Sequence, residues 1–220
     1  MEQSKVVIIM YNKIRMIMNS GTVLAYFLQA VPIACAVGVV FIVARILFLK
    51  AKNRKIIFAE ETIKTLFACY VTGLLSLVVL PVNFWLKVYD GIFFGWWGEL
   101  GSFFSLGEFN LVPAIVKIMK GELMLGSWVK EMLVGNILMF VPFGFFLPFI
   151  TKKASPKNIF LTSAAVPLAV EVFQLVLGRS FDVDDLICNF VGIMGGYFVA
   201  FALKSIRKPD QKGENLWDVR

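Results

Sequence analysis

Residues 171–189 hold Glu171, Gln174, Arg179, Asp182, Asp184, Asp185 and Asn189 inside otherwise apolar sequence. Glu171 and Gln174 are three apart and share one face of a helix. The four carboxylates oppose Arg179 alone, a formal excess of three negative charges. Protonation of Glu171, a lysine or arginine from residues 83–130, a hard cation such as Mg²⁺ or Ca²⁺, or a cationic group on a ligand would each offset that excess. A carboxylate held in such a cluster can serve as a general base or a cation ligand, so Glu171, Asp184 and Asp185 are the candidate catalytic residues. Against catalysis, the chain has no histidine, which removes the usual general base and the commonest zinc ligand. It also shows no serine or cysteine nucleophile with a base, and no phosphate-binding glycine loop. The reading therefore leans away from an enzyme. No cofactor is expected beyond a divalent cation at the acidic cluster, and no metal site is assigned.

The elements that must carry these residues are membrane helices. Of 220 residues 59% are hydrophobic and 17% charged, with a mean hydropathy of +0.78, whereas a soluble domain is about 45–50% apolar and about 25% charged. Five stretches are long and apolar enough to cross about 30 Å of hydrocarbon: roughly 22–49, 57–82, 132–150, 158–178 and 185–206. The expected fold is an all-α membrane protein of about five transmembrane helices. Residues 1–20 form an amphipathic interfacial segment, 21–206 the transmembrane domain and 207–220 a tail. Lysines and an arginine scattered through the first 20 residues argue against a cleavable leader.

Positive charge is retained on the cytoplasmic side. Arg45, Lys50, Lys52, Arg54 and Lys55 follow the first span, Lys152, Lys153 and Lys157 lie between the third and fourth, and Lys204, Arg207, Lys208, Lys212 and Arg220 follow the fifth. This predicts an outside N-terminus and a cytoplasmic C-terminus. The net charge of +7 is then explained by topology and anionic lipid, with no nucleic-acid partner needed. Residues 83–130 are too apolar for a solvated loop. Their Phe93, Phe94, Trp96, Trp97, Phe103 and Phe104 suit an interfacial aromatic belt that anchors the segment or roofs an outward-facing cavity.

That topology sets Asn136 one turn into the third span and Asn189 one turn below Asp185, at the same outer depth as Glu171, Gln174, Arg179 and the aspartates. Arg179 is expected to reach back or to meet the aspartates, and Asp184 or Asp185 to cap the fifth helix. Ionisable and amide groups inside a span are costly and mark functional sites, although polar side chains also lock helices together. Gly192, Gly196 and Ala200 offer a small-residue face for close helix packing within the chain. Pro32 predicts tilt or a kink in the first span, and Pro142 with Gly144 a kink in the third, whose freed carbonyls need partners. Cys35, Cys69 and Cys188 read as buried free thiols.

The ordered set NILMFVPFGFFLP at 136–148, EVFQ at 171–174 and RSFDVDDLICNFVG at 179–192, preceded by FNLVP at 109–113, resembles the VanZ-like family of bacterial membrane proteins. The likeness is close over the third to fifth spans and does not cover 83–108. It implies a multi-pass protein of the bacterial cytoplasmic membrane, in a family whose founding member is associated with low-level resistance to teicoplanin, a glycopeptide that carries an acyl chain where vancomycin has none. Its motif positions are Asn110, Pro113, Asn136, Pro142, Gly144, Glu171, Gln174, Arg179, Asp182, Asp184, Asp185, Asn189 and Gly192. The expected ligand site is therefore Asn110, Asn136, Glu171, Gln174, Arg179, Asp182, Asp184, Asp185 and Asn189. Its expected partners are membrane lipid, teicoplanin or a lipid-linked cell-wall precursor. The alternatives are an enzyme acting on a lipid-linked envelope substrate and a small lipid transporter.

Overall fold

The computed structural model describes residues 2–101, 104–124, 126–151 and 155–206. The tail 207–220 and the expected roles of Phe103, Lys152 and Lys153 lie outside the described residues. Among the described residues eight helices follow in order: α1 Glu2–Met18, α2 Val23–Ala51, α3 Phe58–Val78, α4 Phe84–Phe94, α5 Ala114–Met119, α6 Ser127–Ile150, α7 Pro156–Val176 and α8 Val183–Ile206. A 3-10 turn covers Trp97–Leu100, and two short strands, β1 Phe109–Asn110 and β2 Phe181–Asp182, pair in parallel. Five helices are long and apolar enough to cross a membrane: Leu24–Ala51, Phe58–Val78, Val129–Ile150, Pro156–Val176 and Val183–Ser205. The fold is an all-α membrane protein. Apolar side chains such as Val39, Val40, Leu47, Phe198 and Phe201 are exposed on the outside of the bundle, where hydrocarbon replaces water as solvent.

Local sequence accounts for the helix starts. Thr22 caps α2 by accepting from the Ala25 amide at 3.2 Å, and Ser155 caps α7 by accepting from Asn158 at 3.3 Å, with Pro156 in the first turn. α6 starts five residues earlier than expected, so Asn136 lies nine residues into it rather than one turn. α8 also starts early, by two residues, so Asn189 lies six residues into it.

α8 packs against both α6 and α7, and α3 packs against α6. α8 thus packs against both the third and the fourth span. Leu74, Val78, Phe140, Val170 and Ile193 form the buried core from α3, α6, α7 and α8. The α6–α8 seam is close because glycines face backbone across it: a Cβ on Gly192 would lie 3.0 Å from Phe140 Cβ, and one on Gly144 2.7 Å from the Ile193 carbonyl carbon. The expected intramolecular small-residue face is this seam. Pro142 withholds an amide from the preceding turn. The carbonyl this frees is that of Leu138; the Tyr70 hydroxyl donates to the neighbouring Met139 carbonyl at 2.6 Å. The three cysteines are free, but Cys188 alone is buried; Cys35 is exposed on the helix surface.

The N-termini of α2, α6 and α8 and the C-termini of α3 and α7 meet at one end of the bundle. α1 is clasped there. Asp90 of α4, 1% exposed, accepts from the Tyr11 hydroxyl at 2.7 Å and from Arg15 Nε and Nη2 at 2.7 and 2.9 Å, while Tyr11 stacks on Phe93 with ring centroids 4.2 Å apart. Gln29 of α2 donates to the Met18 carbonyl and to Asn83, both at 2.9 Å. Residues 105–110 run parallel to 177–182 at the same end, joined through Gly107 N to Leu175 O at 2.8 Å and Phe181 N to Glu108 O at 2.8 Å. Gly107 has no room for a side chain, since a Cβ there would overlap the Arg179 carbonyl.

Candidate functional site

α7 approaches this end with Ser163, Pro167, Val170, Glu171 and Gln174 on its buried stripe. The chain then turns through Gly178, at a φ of +80°, a left-handed conformation that glycine adopts without a Cβ clash. The turn carries Arg179 back over the C-terminus of α3. Its Nη1 donates to the Val78 carbonyl at 2.7 Å and to Leu77 at 3.3 Å, and Gln174 Nε2 donates to the same Val78 carbonyl at 2.6 Å. Arg179 therefore satisfies orphan carbonyls at a helix C-terminus, where the dipole favours a cation, and among the described residues it forms no ion pair with the aspartates. Burial lowers the Arg179 pKa, with Asp185 and Glu171 acting in the opposite direction.

The cap of α8 is also reassigned. Asp182 Oδ1 accepts from the Asp184 amide at 2.8 Å, so the residue just before the helix caps it, in place of Asp184 or Asp185. Asp184 turns away from its own helix: both carboxylate oxygens accept from the Ala114 amide, at 3.0 and 2.8 Å, at the start of α5. Asp185 accepts from Asn136 Nδ2 across the α6–α8 seam. Asp182 Oδ2 accepts from Asn110 Nδ2 at 2.7 Å, and Asn110 Oδ1 accepts from Lys117 Nζ at 2.8 Å. Glu171 Oε2 accepts from the Asp182 amide at 2.8 Å, which binds the middle of α7 to the entry of α8.

Asn110, Lys117, Asp182, Asp184 and Glu171 thus make one hydrogen-bonded network across α5, β1, β2, α7 and α8, and the Asp185–Asn136 pair lies beside it on α8 and α6. Gln174 and Arg179 tie its edge to α3. Lys117 reaches the network through Asn110; its position in the short helix opened by FNLVP is the signal that could have singled it out. Asp90 with Tyr11 and Arg15 was missed as well. Its signal was one carboxylate in the apolar run FWLKVYDGIFF.

Three buried side-chain oxygens on α7 and α8 have no donor among the described residues: Glu171 Oε1, Gln174 Oε1 and Asn189 Oδ1. Their residues are 0%, 3% and 3% exposed. An unsatisfied buried polar atom costs about 1–3 kcal/mol, so these oxygens are acceptors that a donor from outside the chain would satisfy. Among the described residues no three of His, Cys, Asp and Glu are grouped to hold a metal ion, so a cation here would have to draw on the amide oxygens as well.

The profile of the VanZ/LLP1 family matches residues 37–204. The chain belongs to the VanZ/LLP1 family. The matched range holds every residue of the polar network, whereas α1 and the first half of α2 precede it. This VanZ/LLP1 protein is accordingly a multi-pass membrane protein with its network inside the family region and the α1 clasp partly outside it. No curated protein and no solved structure matches the chain.

Proposed function

We propose that this VanZ/LLP1 protein sits in the bacterial cytoplasmic membrane with its polar network outward and lowers susceptibility to teicoplanin by binding the head of an amphiphile there. The amphiphile is the antibiotic itself or a lipid-linked cell-wall precursor. The observation that carries this reading is the trio of buried oxygens on Glu171, Gln174 and Asn189 without donors. A lock that only holds helices together gains by satisfying its members, because a half-satisfied network is worse than an apolar one. A site awaiting a donor-bearing ligand leaves acceptors open. The outward orientation rests on the distribution of Lys and Arg.

The test is teicoplanin and vancomycin susceptibility of a sensitive Gram-positive host expressing wild type, Glu171→Gln, Asp184→Asn or Asn189→Leu at matched membrane levels. Asn189→Leu separates site from lock. It removes an unsatisfied buried oxygen, so its thermal stability holds or rises, and as part of the site it loses protection. Protection by wild type alone, against teicoplanin alone, supports the reading. Protection retained by Asn189→Leu and Glu171→Gln overturns it. Changed lipid extracts on overexpression, with a dependence on divalent cation, would favour turnover of a lipid-linked substrate, using the same oxygens as cation ligands.

A further inference from the structure

At the opposite end of the bundle, α2 and α3 diverge around a groove of about 280 Å³. Ile42, Ile46, Leu49, Ile56, Phe58 and Leu66 line it, and all but Leu49 are more than a third exposed on the surface that faces hydrocarbon. Its polar wall is already neutral: Arg45 Nε and Nη2 donate to the two oxygens of Glu61 at 2.6 Å each, and Lys64 donates to Glu61 and Glu60 at 3.0 and 3.1 Å. The groove is open along one side and lined mainly by aliphatic and aromatic side chains, a shape that accepts a linear apolar chain lying along it. In a bilayer the group that fills it is an acyl chain.

The loop between Leu49 and Ile56, the two lining residues that flank it, adds the second half of the argument. It carries Lys50, Lys52, Arg54 and Lys55, all exposed, and no acidic residue. The nearest carboxylates in sequence, Glu60 and Glu61, are engaged by Lys64 and Arg45. Four cations are therefore set at the rim of an apolar groove, and such a basic cluster at a span end attracts anionic headgroups.

We infer that the α2–α3 hairpin is a binding site for an anionic phospholipid, with one acyl chain in the groove and the headgroup phosphate on Lys50, Lys52, Arg54 and Lys55. The site is at the far end from the polar network and does not depend on the role proposed for that network. It would anchor the hairpin to the leaflet on its own side.

The experiment uses the full chain in detergent micelles, titrated with phosphatidylglycerol or with phosphatidylcholine of the same acyl chains, and bound lipid is counted by native mass spectrometry. Wild type should prefer phosphatidylglycerol at least tenfold, and the preference should fall as salt rises from 0.1 to 0.5 M, by screening. Replacing the four loop cations by Gln should erase the preference and leave phosphatidylcholine binding unchanged. Ile46→Phe, which fills the groove, should weaken both lipids at least fivefold. Equal binding of the two lipids by wild type overturns the proposal without any variant. So does binding unaffected by Ile46→Phe, or displacement of the lipid by glycerol phosphate, which would mean that the headgroup alone is recognised.

Discussion

Gly195 and Gly196 are adjacent in α8 and face different surroundings. A Cβ on Gly196 would lie 2.8 Å from the Phe145 amide nitrogen and closer still to the Val141 carbonyl oxygen, whereas one on Gly195 meets nothing within 4 Å among the described residues. Ordinary contact begins near 3.4 Å, so Gly196→Ala drives α8 away from α6 by more than half an ångström. A gap of about 0.5–1 Å forfeits a quarter to a half of each contact along the seam, and overpacking a close-fitted core costs about 1–3 kcal/mol. Gly195→Ala adds a methyl in open space and gains helix propensity, up to about 1 kcal/mol. That propensity gain is common to both variants, so they should differ by the overpacking cost, about 1–3 kcal/mol. Unfolding of each variant in mixed micelles of rising dodecyl sulfate fraction, followed by far-UV circular dichroism, reads the difference directly. The seam also carries the Asn136–Asp185 hydrogen bond three turns nearer the network, so Gly196→Ala should lose protection in the susceptibility assay while Gly195→Ala keeps it. Equal midpoints for the two variants would refute the reasoning that close backbone approach at Gly196 sets the seam.

Asp182→Ala removes the α8 cap and the partner of Asn110 together, at about 1–2 kcal/mol for the cap, and hydrogen exchange should rise across 105–119 as well as in the first turn of α8. Asp90→Ala should release α1, with protease cleavage appearing within the first 20 residues while the melting temperature of the spans shifts little. The loss is about 1.5–3 kcal/mol for bonds to a charged group, and unchanged protease resistance would argue against the clasp. Burial pushes the Tyr89 phenol up from 10.0 to about 12, and its hydroxyl donates to the Gln29 carbonyl at 2.8 Å. A raised folded-state pKa means that the protonated form is held by the fold, so this contribution is intact below pH 10 and is lost as pH rises towards about 12. Tyr89→Phe should flatten the alkaline loss of stability within that window.

Much of this architecture was legible in the residues themselves. Five apolar runs demanded membrane helices because backbone in hydrocarbon must bond within its own segment. Gly192 and Gly196 announced a close seam, since only residues without bulk let two helix backbones meet. The cost of a carboxylate or amide in lipid is enough to pick out Glu171, Gln174, Asp185, Asn136 and Asn189. Their partners were not legible. Arg179 was expected to reach back or to meet the aspartates, and it serves carbonyls about a hundred positions earlier in α3. Asp184 was expected to cap α8 and instead holds the Ala114 amide seventy positions away. Residue type states what a buried group requires, and helical period states which face it occupies. Which donor answers it depends on the unsatisfied amides and carbonyls at helix ends, and those are brought within about 3 Å only when the helices pack. The sequence determined the spans, the small-residue seam and most of the buried polar residues; tertiary structure alone added Lys117 and decided the wiring, the three oxygens left without donors, and the groove between α2 and α3.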